Sequence, residues 1–99
     1  MTLNRSSRGA LEKFIDKVIG EIPQKMNDIS NPSIKSQLHI DNINDHVMGW
    51  AIGKIEGMFA VYFVYTSDKE QYSPEDEAEF NQVIYNRMAE IREAIFKTG

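Results

Sequence analysis

The sequence predicts an α+β fold, a small antiparallel β-meander or hairpin flanked by N- and C-terminal amphipathic helices. Three observations point there. Residues 57–65 carry no charged side chain and are dense in the β-branched and aromatic types that suit a pleated surface. The stretches on either side repeat apolar residues every three or four positions, the period of a helix with one buried stripe. Between the two halves of the central segment stands Glu56-Gly57, where a tight turn would join two strands, although it is a weaker turn signal than Asn-Gly. The rival is all-α, a dimerising three-helix bundle with one long helix over about residues 33–65. In that helix Gly49, Gly53 and Gly57, spaced four apart, would line one side and let another helix approach closely. Three mid-helix glycines cost about 1 kcal/mol each relative to alanine, which tips the reading toward strands.

Taken in order, the N-terminal residues have only Arg5 and Arg8 as charges, too few for a nucleic-acid tail. From an N-cap at Ser7, the residues Leu11, Phe14, Ile15, Val18, Ile19 and Ile22 form one apolar stripe opposite Glu12, Asp16, Lys17 and Glu21. Pro23 is expected to end or kink this helix near Ile22. Met26 and Ile29 nevertheless continue the stripe, so a kinked helix or two abutting ones should follow, stopped by Asn31-Pro32. Ile34, Leu38, Ile40 and Ile43 fit either period; the reading adopted is a short strand over 38–43 and a turn at Asn44-Asp45. Strands over 46–55 and 58–66 come next. The second has Phe59, Val61, Phe63 and Tyr65 on one face and Met58, Ala60, Tyr62 and Val64 on the other, so both faces need covering.

After a polar connector over 67–72, Ser73-Pro74-Glu75-Asp76 marks a helix start with Ser73 as N-cap, Pro74 at the first position and Asp76 closing a capping box. Phe80, Val83, Ile84, Met88, Ile91 and Ile95 make the second stripe, in a helix running to about Lys97.

At 99 residues and 41% hydrophobic, the chain is expected to form a single small globular domain over 1–99. It has no cysteine, which excludes disulfides and thiolate chemistry and suits a reducing compartment. Its first residues lack the apolar core of a signal peptide, and Lys54 and Glu56 interrupt the apolar run, so no membrane span is expected and the chain is read as cytoplasmic. The net charge is -4, and the acids concentrate at Asp68, Glu70, Glu75, Asp76, Glu77 and Glu79. Such a balance disfavours a nucleic-acid partner, which needs a basic face.

Chemistry is sparse. Gly49, Gly53 and Lys54 miss the spacing of a phosphate-binding loop, and Ile55 stands where a hydroxyl residue is required. His39, Asp41, Asp45 and His46 are the only candidate metal ligands or acid–base groups, but they match no ligand motif, and no cofactor is implied. Trp50, Phe59, Tyr62, Phe63 and Tyr65 are the expected interface, because aromatic bodies with polar tips are enriched where proteins meet. The chain therefore reads as a non-enzymatic protein-interaction or regulatory module acting as a homo-oligomer. Two alternatives stand beside it: a ligand- or metal-binding protein or enzyme using His39, Asp41 and His46, and an acidic inhibitor that docks residues 68–79 on a basic protein.

Overall fold

A computed structural model describes residues 5–66 and 73–98 and contains five helices there: α1 (Arg5–Ile29), α2 (Pro32–Gln37), α3 (Ile43–Thr66), α4 (Pro74–Asn86) and α5 (Met88–Thr98). No strand occurs among the described residues. The expected α+β hairpin is therefore replaced by an all-α arrangement, the class of the rival reading, with five helices in place of three. The body is elongated, 45 × 24 × 19 Å, with α1, α3 and α5 packed on one another around the core.

In α1 the buried residues are Leu11, Ile15, Val18, Ile22, Met26 and Ile29, one stripe that persists to the end of the helix. Pro23 lies inside the helix on its exposed side and does not end it. The missing amide removes one bond to the Ile19 carbonyl, while Ile22, Met26 and Ile29 on either side are anchored in the core. What stops α1 is the Asn31-Pro32 pair. The Asn31 side chain accepts the Ser33 amide at 2.9 Å, and Pro32 opens α2 where no amide is needed.

The expected strand over 38–43 is a turn instead. Leu38 caps α2, His39 adopts a left-handed φ of 53°, and Ile40 dips into the core. Asn42 then starts α3: its side-chain oxygen accepts the Asp45 amide at 3.0 Å and its carbonyl accepts the His46 amide at 3.1 Å. Asn44 and Asp45 thus belong to a first helical turn, not to a hairpin.

Along α3 the buried residues are Val47, Ala51, Ile55, Phe59 and Phe63, spaced one helical turn apart. Burying large apolar side chains yields about 1.5–3 kcal/mol each, which for four of these outweighs roughly 3 kcal/mol of glycine cost. Phe59 is the hub, with its ring centroid 5.5 Å from Phe80, 6.0 Å from Tyr62 and 6.2 Å from Phe63. Across the α1–α3 seam, Lys54 Nζ donates to Glu21 Oε1 at 2.8 Å, and that hydrogen bond holds the Glu21 carboxyl below its ordinary value.

The capping box at α4 forms in both directions. Asp76 donates its amide to Ser73 Oγ at 3.1 Å, and its carboxylate accepts the Ser73 amide at 3.0 Å. The expected continuous C-terminal helix is broken at Arg87, which caps α4 before α5 begins. Arg87 turns inward there: it donates to Asp16 Oδ1 at 2.5 Å and to the Glu90 carboxylate, and its guanidinium lies 3.6 Å from Glu12 Oε1. The hydrogen bond to Glu90, then that to Asp16, raises its already high pKa further. Arg87 consequently ties the α4–α5 joint to α1. Arg87→Ala should lower stability by roughly 1.5–3 kcal/mol, the range for hydrogen bonds to charged groups. Thermal melts followed by circular dichroism would read this as a drop of about 4–8 °C per kcal/mol; an unchanged melt would mean that the joint is held by its apolar contacts alone.

Candidate interaction surface

Because α3 is apolar around its circumference, a one-sided core leaves part of it uncovered. Only 28% of its most apolar stretch is buried. Val61, Val64 and Tyr65 are 58%, 52% and 84% exposed. Gly49, Gly53 and Gly57 lie on the same outer side, and a Cβ placed on any of them would meet no atom within 4 Å. Packing among the described residues therefore gives no reason for these three glycines in a helix they weaken.

Two grooves run beside this low ridge, and Gly57 lines both. On the α1 side the walls are Phe14, Lys54, Met58, Val61 and Tyr62. On the α4 side they are Gly53, Glu56, Ala60, Glu77, Phe80 and Asn81. The first flank is apolar with one cation at its rim, the second is mixed, with two carboxylates and Asn81 beside its apolar residues.

The aromatic residues expected at an interface divide between inside and outside. Phe59 and Phe63 are core residues, buried between α3 and its neighbours, and are corrected accordingly. Trp50 and Tyr62 are half-buried. The Trp50 ring has Lys25 Nζ and Lys54 Nζ at 5.3 and 5.4 Å from its centroid, and Tyr62 meets Phe14 edge-on at 5.9 Å. Tyr65 alone of the five is fully outside. The strand reading already left Val64, with Tyr62, on the face to be covered from outside; it missed Val61, which it placed with Phe59 and Phe63 and which is exposed on the helix.

The expected acidic docking surface is also divided. Asp68 and Glu70 lie outside the described residues. Glu75 and Glu77 are exposed, Glu79 is half-buried, and Asp76 is wholly buried in the capping box, which takes it out of any docking surface. Among the candidate ligands, His39 and Asp41 line a polar hollow with Lys35 and Ser36, while Asp45 and His46 sit exposed at the start of α3. Among the described residues no three His, Asp or Glu side chains are grouped to hold a metal ion.

By length and composition Ile43–Tyr65 is apolar enough to cross a membrane, a property shared by core helices of soluble proteins. No family model matches the chain, and no match is found among curated proteins or solved structures.

Proposed function

We propose that this protein is a non-enzymatic interaction module that works as a homodimer, joined through the outer side of α3. One observation carries the reading: the most apolar helix of the chain is covered on one side only, and on its uncovered side Gly53 and Gly57 make a low stretch beside an apolar groove and a mixed one, with Val61, Val64 and Tyr65 exposed beyond them. Removing such a surface from water is favourable at about 25 cal/mol per Å², and a ridge of glycines lets a partner helix come close enough to fill both grooves. A two-fold dimer needs the same patch on both copies, which a single chain supplies without a second gene product.

A bilayer is the competing cover. It is disfavoured by Lys54 and Glu56, which rim the ridge at mid-helix, where a charge in hydrocarbon costs about 2.5–3.5 kcal/mol on the insertion scale.

Sedimentation equilibrium at micromolar concentration is expected to give twice the 11.4 kDa chain mass, falling toward the monomer on dilution. A strict monomer that floats with phosphatidylcholine vesicles would overturn the proposal in favour of a membrane surface. A strict monomer that ignores vesicles would overturn it outright.

A further inference from the structure

Resting on that self-association, we infer that the two α3 helices run parallel, about a two-fold axis directed along them. The inference comes from the unequal charge of the two flanks. Lys54 lines the groove on the α1 side, whereas Glu56 and Glu77 line the groove on the α4 side, and Gly57 between them belongs to both.

Face-to-face pairing of two copies leaves only two symmetric choices. An axis along the helices exchanges left with right and keeps height, so the Lys54 flank of each copy faces the Glu56 and Glu77 flank of the other. An axis across the helices reverses height and keeps flanks, so cation faces cation and carboxylates face carboxylates. The heights agree with the first choice: Lys54 and Glu56 differ by two residues, about 3 Å of helix rise. Lys54 keeps its bond to Glu21 and has further ammonium protons to donate, while Glu56 is exposed and makes no ion pair among the described residues. Opposite charges at a rim select register and orientation more than they add affinity, which is the role required here. The second copy is thus distinguished from other apolar occupants by carrying both signs at matching positions.

The chain has no cysteine, so single thiols can be placed at will. Gly57→Cys and Val64→Cys should each form a disulfide-linked homodimer under mild oxidation of the full chain, since Gly57 lies between the two grooves and exposed Val64 stands two turns further along the same side. An equimolar mixture should give these homodimers with little mixed species. The two positions are about 10 Å apart along the helix, and a disulfide needs Cα atoms within about 4.4–6.8 Å. In an antiparallel pair, therefore, at most one of the two cross-links to itself. A dominant mixed 57–64 disulfide would overturn the parallel arrangement while leaving self-association standing, as would a dimeric parent in which neither variant cross-links. Monomeric mass for the unsubstituted chain would instead remove the reading on which the inference rests. As a second readout, Lys54→Glu should weaken the dimer about tenfold, and adding Glu56→Lys to the same chain should restore most of that loss. Absence of rescue, with helicity intact by circular dichroism, would count against parallel pairing.

Discussion

Phe59→Ala is expected to reduce the unfolding free energy by about 3–5 kcal/mol, the usual loss for emptying an aromatic site in a core. Phe59 is fully buried, and its ring touches those of Tyr62, Phe63 and Phe80, so truncation removes apolar contact with α3 itself and with α4. Domains of this size are stable by about 5–15 kcal/mol, so the variant should stand near the edge of unfolding. Tyr65→Ala gives the contrast. Tyr65 is 84% exposed and its removal should change monomer stability by no more than about 0.5 kcal/mol. Urea denaturation followed by far-ultraviolet circular dichroism, with both variants at one protein concentration, separates the two roles. A loss below about 1 kcal/mol for Phe59→Ala would mean that the ring is not part of the monomer core.

How much of this was legible in the sequence depends on which period each residue could report. The stripes of α1 and of α4 with α5 mix three- and four-residue steps, as in Leu11, Ile15, Val18 and Ile22, and only a helix brings such steps to one side. Both were readable. In the centre, Val47, Ala51, Ile55, Phe59 and Phe63 step by four throughout, and four residues is both one helical turn and two strand repeats. That spacing cannot choose between helix and strand, and the aromatic and β-branched composition of 57–65 then favoured the wrong one. The capping box at Ser73 and Asp76 was legible because cap chemistry is local, yet the same Asp76 was also counted as surface charge. Its burial follows from the fold of α4 onto the core through Phe80, which no local rule reports. The break at Arg87 was equally hidden, since it depends on Glu12 and Asp16 arriving from α1. Of the surface, the glycine stretch was visible only under the helical reading and Val61 only once the helix was fixed, whereas Val64 already stood on the uncovered face of the strand reading.

Substitutions on that ridge should move folding and association in opposite directions, and this is the second large effect. In the monomer a Cβ at Gly53 or Gly57 meets open space, so the only intramolecular consequence of alanine is better helix propensity, about 1 kcal/mol gained per site. Glutamine is a good helix former too, and its long polar side chain would stand upright on the ridge, holding a second helix away and leaving both grooves open. Gly53→Gln with Gly57→Gln is therefore expected to be at least as stable toward urea as the parent, extrapolated to the monomer, while its dimer affinity falls by at least about thirtyfold, the scale of a central interface position. The two measurements exclude the ordinary confounder, because a variant that merely misfolds loses both. If the double variant is stabilised and still dimerises with parental affinity, the glycines have no part in association and the interface lies on another face. If instead it is destabilised, the outer side of α3 is covered within the monomer by a contact the described residues do not contain.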